Sequence, residues 1–228
     1  MGRFEVHAHT EFSNIRILDC INKPEVLVQR AIDLGLSGIA FTDHESLSVA
    51  IRANKLAKQY KDSGFKIALG NEIYLVEDRE PGQKYYHFIL IAKDEIGFTL
   101  MKELSSIAWL NSFMDKQTRV PTLKSELKTL LEKYGKGHLI ATSACLGGEL
   151  STLTLNLCNA EEVNDKSTAS IYHDKIISFI TEMQDMFGDD FYIECAPARS
   201  DEQITVNNRL LSISKAFNVK MVIGCDAH

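Results

Sequence analysis

The clearest chemical signal in this sequence of 228 residues is a pair of histidines, His7 and His9, at the end of a short β-like run. Asp226 and His228 repeat the same two-residue spacing after another apolar run. Side chains two apart on a β-strand project from the same face, so each pair presents its polar groups together. Two neutral imidazoles side by side are suited to hold a metal ion. We interpret both pairs as metal ligands, against the alternative of unrelated histidines on a strand.

Other ionisable side chains occur at the ends of predicted strands. His44 follows a strand directly after Asp43, Glu72 comes at the end of the next strand, and His87 opens another. Each alone would be interpreted as structural or solvated, but five of the seven histidines share this kind of position. Imidazole and carboxylate together suit zinc, manganese or iron, and more than one ion. Metal ions about 3.5–4 Å apart polarise a phosphoryl oxygen and activate a bridging water, so the predicted chemistry is hydrolysis of a phosphate ester.

Short β-like runs alternate with helix-like segments along the whole chain. This rhythm predicts βα units and a parallel sheet, which could close as a seven-stranded barrel or stay open as a doubly wound sheet. Most of the polar residues then meet at the carboxyl-terminal edge of the strands, where such folds build active sites. Residues 155–169 are polar and acidic without a clear period, and we predict a surface loop there. The predicted strands are 4–9, 38–42, 66–74, 86–92, 138–142, 191–195 and 219–225, and the predicted helices are 24–34, 46–63, 95–113, 122–134, 171–187 and 202–217.

The composition predicts one globular domain over residues 1–228. The hydrophobic fraction of 45% and the charged fraction of 25% are ordinary, and no apolar run approaches the roughly 20 residues that span a bilayer, so we expect no membrane contact. The N-terminus lacks the apolar segment of an export signal, and the five cysteines form no CxxC pair, so a reducing cytoplasm is expected. A net charge of −6 argues against a broad basic surface that binds DNA. If this domain contacts DNA, other domains or bound metal must supply much of the positive charge.

The polar motifs resemble those of the PHP (polymerase and histidinol phosphatase) family, whose motifs begin with HxH and end with DxH. Here they read His7-Ala8-His9, Thr42-Asp43-His44 and Asp226-Ala227-His228, and the likeness extends over essentially the whole chain. The resemblance implies the α/β class and, within it, a distorted seven-stranded (βα) barrel with a trinuclear metal site.

Within this family, the sequence looks most like the N-terminal PHP domain of the bacterial DNA polymerase III alpha subunit. Segments 9–13, 70–74, 87–92 and 143–149 carry this likeness. Cys145 stands where free-standing PHP phosphatases commonly have a histidine, and a thiolate is also a sound ligand for zinc-like ions. The resemblance implies two or three divalent ions of zinc, manganese or iron. Carried over position by position, the ligands are His7, His9, Asp19, His44, Glu72, His87, Cys145, Asp226 and His228.

Among these ligands, His7, His9, Glu72 and Asp226 are expected to carry the catalytic role. Asp43 is expected to lie outside the ligand set and to orient an imidazole, because it faces away from His44 if the strand stays regular.

The resemblance also implies that the chain is part of a longer DNA-directed DNA polymerase, with DNA and the other polymerase domains as partners. Three roles stay open for the domain itself. It could be a metal-dependent phosphoesterase, for example a 3′–5′ exonuclease acting in proofreading. It could be a metal-stabilised scaffold that binds a separate proofreading exonuclease subunit. A free-standing small-molecule phosphatase of the histidinol phosphatase type is disfavoured by Cys145 and by the polymerase-like segments.

The remaining polar and aromatic residues favour plainer interpretations. His138 begins a predicted strand and is expected to be structural, whereas His173 is expected to be exposed on a helix. Trp109 and Phe113 have helical spacing and are expected in the core rather than as a platform for bases. The basic stretch 116–124 is expected to be solvated, with contact to a phosphate backbone or a neighbouring domain as the alternative.

Overall fold

A mixed β-sheet that curls into a nearly closed barrel forms the centre of the protein. In the computed structural model of the chain, residues 2–14, 18–80, 82–115 and 119–228 are described, with the backbone alone for 113–115. Within these ranges the strands pair in the order β1-β2-β3-β4-β6-β7-β8, and β5 pairs with β3 outside that path. The strands are β1 (Phe4–Glu5), β2 (Gly38–Phe41), β3 (Lys66–Val76), β4 (Tyr86–Ala92), β5 (Pro121–Leu123), β6 (Leu139–Thr142), β7 (Phe191–Cys195) and β8 (Lys220–Ile223).

The two ends of the sheet meet through the segments that follow β1 and β8. Ala8 forms a parallel bridge with Ala227, and the amide of His9 donates to the carbonyl of Ala227 at 2.9 Å. This contact brings the first and last strands of the seven-strand path together. The predicted distorted seven-stranded barrel is therefore confirmed, with β5 as a short additional strand.

The expectation of a parallel sheet was wrong for one strand, because β4 runs antiparallel to both β3 and β6. The connection from β3 to β4 spans only residues 77–85. A parallel crossover needs about a dozen residues or more, so this connection must return as a hairpin. The reversal has a consequence for the site, since the start of β4 lies at the same barrel end as the carboxyl ends of the parallel strands. His87 therefore opens onto the edge where the other polar motifs lie.

The helices cover the outside of the barrel. They are α1 (Pro24–Asp33), α2 (Ala50–Gln59), α3 (Glu95–Asp115), α4 (Lys124–Tyr134), α5 (Glu149–Glu162), α6 (Lys166–Phe187) and α7 (Asp201–Phe217). Local signals explain several of their ends: Pro24 occupies the first turn of α1, and the Ser200 hydroxyl accepts from the amide of Gln203 at the start of α7. None of the helices in the described ranges combines enough length with enough apolar character to span a bilayer.

The loop predicted for residues 155–169 was wrong, because α5 and α6 occupy nearly all of that segment. Glu161 and Glu162 are exposed at the end of α5, whereas Leu153, Leu157 and Ala160 are buried at helical spacing. Asp165 then starts α6 by accepting from the amide of Thr168 at 3.1 Å. The polar and acidic residues around these buried positions made the helical period of the apolar residues hard to recognise in the sequence.

Strand β4 shows how the barrel divides the core. Its Phe88 and Leu90 join a large buried cluster shared with the outer helices, whereas Ile89 and Ile91 belong to a smaller cluster with Ala144. Because side chains alternate along a strand, these two sets face opposite sides of the sheet. The continuous apolar run of β4 is what a strand buried on both faces requires.

Strands β1 and β8 are shorter than predicted, ending at Glu5 and Ile223. His7, His9 and Asp226 therefore lie beyond the regular ladder, in the segments that close the barrel. The bridge between Ala8 and Ala227 holds these segments side by side, although the backbone of Asp226 is left-handed rather than extended.

Candidate metal centre

The nine side chains predicted as ligands lie together at one mouth of the barrel. They form three overlapping groups, and within each group one potential ligand atom per residue lies within 4.8 Å of every other. His9 belongs to the first and second groups, and Glu72 belongs to the second and third. The groups are His9, Asp19, His44 and His228; His7, His9, Glu72 and Asp226; and Glu72, His87 and Cys145.

Glu72 is fully buried at the centre of these groups. Its Oε2 lies 3.1 Å from Nε2 of His9 and 2.9 Å from Nδ1 of His44, and its Oε1 lies 2.6 Å from Nδ1 of His87. Despite these approaches, neither oxygen has an aligned hydrogen-bond partner among the described residues, and the same holds for Nδ1 of His44 and Oδ2 of Asp19. Buried polar atoms without partners are costly in a folded protein. Cations between these atoms would satisfy them, so the donor set fits bound metal ions.

The imidazoles of His7 and His9 converge on one point. Their Nε2 atoms are 3.1 Å apart, and Oδ1 of Asp226 lies 3.1 Å from the first and 3.4 Å from the second. The opposite nitrogens have other partners: Nδ1 of His7 lies 2.6 Å from Oε1 of Glu194, and Nδ1 of His9 lies 3.0 Å from the Ser13 hydroxyl. A proton on each Nδ1 leaves the Nε2 lone pairs directed at the shared point, as metal ligands require.

Glu194 and Ser13 support the imidazoles of this site, and the sequence reasoning assigned no role to either. Glu194 is buried in β7 beneath His7, and its other oxygen accepts from the hydroxyl of Thr142. The sequence did contain a signal, since an ionisable side chain inside the apolar strand Phe191–Cys195 is unusual unless it is paired. Nothing in the local pattern, however, indicates which strand supplies its partner.

Asp43 reaches an imidazole indirectly. Its Oδ1 accepts from the amide of Thr10 at 2.6 Å and from the hydroxyl of Ser13 at 2.9 Å, and the same hydroxyl lies against Nδ1 of His9. Burial raises the pKa of Asp43 even though these donors oppose the shift. The carboxylate of Asp43 thus anchors the turn that carries Ser13, and Ser13 in turn holds the imidazole of His9. The sequence had predicted that Asp43 orients an imidazole but did not identify which histidine.

Protonation in the metal-free site is strongly perturbed. Burial alone would lower the pKa of His9, but hydrogen bonds to Asp226 and Glu72 outweigh it and raise this pKa to about 9. Burial, followed by the charges of Glu72 and Asp226, raises the pKa of the Cys145 thiol. Burial would also raise the pKa of Asp226, but His228 and His9 hold it well below its usual range. Without metal, the cluster therefore holds protons on imidazole and thiol groups opposite ionised carboxylates.

Three non-glycine residues at the mouth have left-handed backbone conformations. They are Glu45 with φ 55°, Ala144 with φ 57° and Asp226 with φ 49°. Glu45 and Ala144 each adjoin a predicted ligand, and Asp226 is one. A left-handed backbone is strained for residues other than glycine, and it persists only where the surrounding structure fixes it. At Glu45, the amide donates to the carbonyl of Glu72 at 2.8 Å, and Nε1 of Trp109 donates to the Glu45 carbonyl at 2.7 Å. Trp109, which we expected in the core, is only partly buried and fixes the turn that follows His44.

The remaining candidates lie outside the three groups. Nδ1 of His138 is 2.7 Å from Asp94, and His173 is exposed on α6, as expected. In the basic stretch 116–124, the expectation of solvation is wrong for Lys124, which is buried among Glu77, Glu149 and Glu182. Residues 116–118 of that stretch and the side chain of Phe113 lie outside the described residues.

Comparison with known proteins supports both the fold and the ancestry of the chain. The PHP domain family matches residues 5–198. The chain is 39% identical to probable DNA polymerase YorL of Bacillus subtilis strain 168, over 97% of this chain and 18% of that protein. It is 32% identical to DNA polymerase III subunit alpha of Borreliella burgdorferi, over 98% of this chain and 18% of that protein. It spans less than a fifth of the length of these curated relatives.

The fold is similar to a crystal structure described as that of a metal-dependent phosphoesterase from Bifidobacterium adolescentis. The TM-score is 0.54 at 16% identity, with 100% of this chain and 88% of that chain covered. At this level of identity, the likeness concerns the arrangement of strands and helices.

Proposed function

Because the chain belongs to the PHP domain family, we propose that it is the PHP domain of a longer DNA polymerase III alpha-type protein and that its mouth is a metal-dependent phosphoesterase site. The observation that carries this proposal is the convergence of nine potential ligands in three overlapping groups around the buried Glu72. The cost of burying so many polar groups is explained if cations bind them.

The three groups would hold two or three divalent ions, with zinc, manganese and iron all compatible with mixed imidazole, carboxylate and thiolate donors. Bound ions supply the chemistry of such a site by polarising a phosphoryl oxygen and by lowering the pKa of a bound water. Glu72 would serve two neighbouring groups, since its oxygens face different imidazoles. His7 and His9 would present Nε2, because Glu194 and Ser13 hold their Nδ1 atoms.

The proposed substrate class is therefore a phosphate ester. Among phosphate esters we favour a DNA 3′ end, because the relatives are named as DNA polymerases. A 3′–5′ exonuclease role in proofreading would match this placement. The polymerase relatives also argue against a free-standing histidinol phosphatase. In the parent protein we expect DNA and the other polymerase domains as partners, within the cytoplasm.

Comparison of Asp226→Asn with the wild type tests this proposal. The protein is reconstituted with manganese or zinc, and hydrolysis is measured on an aryl phosphate and on single-stranded DNA with a labelled 5′ end. The neutral amide is a poorer ligand, so the variant should lose activity on both substrates. Asp174→Asn is the matched control, because Asp174 is exposed on α6 and outside the three groups. Equal activity in Asp226→Asn and the wild type, at equal metal content, would refute the proposal.

A structural role is the second candidate, and the path of the chain favours it. His7 and His9 follow β1, whereas Asp226 and His228 follow β8, and these segments close the barrel. Ions shared between them would link the two ends of the sheet and stabilise a scaffold for other polymerase domains or a separate proofreading subunit. A folded, metal-loaded protein without activity on either substrate, but with a large loss of thermal stability on chelation, would support this role instead.

A further inference from the structure

An arginine stands beside the candidate metal centre on the face of an aromatic ring. Tyr74 lies two residues after Glu72 on β3, so both side chains project from the same face of the strand. Its ring stacks against His44 with centroids 5.8 Å apart and meets His87 edge-on at 5.1 Å. The guanidinium carbon of Arg119 lies 5.0 Å from the centre of the Tyr74 ring. Tyr74 therefore joins Arg119 to two imidazoles of the centre.

Hydrogen bonds fix the backbone at the carbonyl of Arg119 and at the residue that follows it. Its carbonyl accepts from the hydroxyl of Ser112 at 2.6 Å, and the next amide, that of Val120, donates to the Glu45 carboxylate. The following residue, Pro121, begins β5 and pairs with Tyr74 itself. The guanidinium is thus placed by strand pairing and by the turn after His44, which also positions a predicted ligand.

Arg119 differs from the other described arginines in having no carboxylate partner while it is half-buried. Within the part of the chain that the structure describes, its guanidinium nitrogens have no hydrogen bond or ion pair. Arg30 and Arg199 also lack a carboxylate but are exposed. The arginines paired with glutamates are Arg3, Arg52, Arg79 and Arg209. A partly desolvated guanidinium is best stabilised by an anion.

We propose that Arg119 binds a phosphoryl oxygen of the substrate at the rim of the metal centre. The guanidinium lies over the Tyr74 ring, and its planar fork of N–H groups matches the geometry of phosphate. Its fixed positive charge would complement the negative charge of a phosphate bound at the metal centre. This proposal rests on the proposed phosphoesterase function and identifies the contact that recognises its substrate.

The test measures binding of inorganic phosphate to the zinc-loaded protein by calorimetry, so it does not depend on turnover. Arg119→Gln removes the charge and should weaken binding by about tenfold or more, as expected for loss of a charge-assisted hydrogen bond. Arg119→Lys keeps the charge but lacks the fork and should recover part of the affinity. Arg30→Gln is the matched control, because Arg30 is exposed on α1. Metal content should be the same in all four proteins.

Two outcomes would overturn the proposal. One is wild-type phosphate affinity in Arg119→Gln at equal metal content. The other is the absence of phosphate binding to the metal-loaded wild type. Hydrolysis of an oligonucleotide gives the second readout, since KM should rise in Arg119→Gln much more than kcat falls. If the wild type binds phosphate through Arg119 but hydrolyses neither substrate, the anion site stands and only the proposed catalytic function fails.

Discussion

Oε1 of Glu194 lies 2.6 Å from Nδ1 of His7, and this contact determines which nitrogen of the imidazole faces the candidate metal centre. The carboxylate is itself held by the Thr142 hydroxyl, and both His7 and Glu194 are buried. A proton on Nδ1 is shared with the carboxylate, so Nε2 is directed toward His9 and Asp226. A carboxylate behind a ligating imidazole also makes it a stronger donor to metal.

Glu194→Gln should therefore weaken metal binding while leaving the ligands in place. Loss of such an outer partner costs about 10- to 100-fold in metal affinity. Competition with a chromophoric chelator measures this affinity, and ¹⁵N chemical shifts of the His7 ring in the zinc-loaded protein report which nitrogen holds the proton. Glu162→Gln, on the exposed end of α5, is the control. An unchanged His7 spectrum and an unchanged affinity would assign Glu194 a packing role alone.

Gly224 has no room for a side chain, because the side chains of Glu194 and His7 occupy the space beside it. A Cβ at this position would lie 2.0 Å from Oε1 of Glu194 and 3.0 Å from Cβ of His7. Gly224→Ala should destabilise the metal-free protein by about 1–3 kcal/mol, as overpacking does. Urea denaturation measures the change. In a Glu194→Ala background the nearest clashing atoms are gone, so the cost should fall, and strictly additive effects in this double-mutant cycle would contradict the explanation.

The sequence predicted which polar side chains lie together better than it predicted the residues that support them. The spacing of His7 and His9 indicates a shared face, because that depends only on the local period of a strand. The same spacing also placed Asp226 and His228 together, although the backbone of Asp226 is left-handed. The antiparallel direction of β4 could have been inferred from the short connection 77–85. The position of Glu194 behind His7 depends on which strands become neighbours, and no local pattern encodes this. The acidic surface of α5 concealed its apolar stripe for a similar reason, since burial is decided by the packing partner.

Metal uptake at pH 7 should release protons. The raised pKa of His9, about 9, and the raised pKa values of His7 and the Cys145 thiol mean that all three groups are protonated in the metal-free protein. Metal ligation requires their deprotonated forms, so we expect release of about two to three protons per chain. Calorimetric titration with zinc in two buffers of different ionisation enthalpy measures this number. Identical heats in both buffers would contradict it.

The raised pKa of His9 makes the stability of the metal-free protein depend on pH, and the sign of this dependence can be stated. Because the pKa of His9 is raised from 6.5 to about 9, its charged form stabilises the folded state below pH 6.5. That contribution is lost as the pH rises through about 9. Metal affinity should change in the opposite direction and increase over this window, since fewer protons must be displaced. Chelator competition at pH 6.5, 7.5 and 8.5 would detect the trend, and a pH-independent affinity would exclude His9 as a ligand.

Cys145 tests whether the third group binds metal. Its sulfur lies 3.5 Å from Nδ1 of His87, and it shares the group with Glu72. A serine hydroxyl is a much poorer zinc ligand than a thiolate, so Cys145→Ser should lower both the zinc content and the thermal stability of the metal-loaded protein. With chelator present, the variant and the wild type should differ far less, because metal binding adds to stability only when metal is bound. Cys158→Ser, a partly buried cysteine on α5 outside the three groups, is the control. A stability loss of equal size with and without chelator, at unchanged zinc content, would mean that Cys145 only fills space.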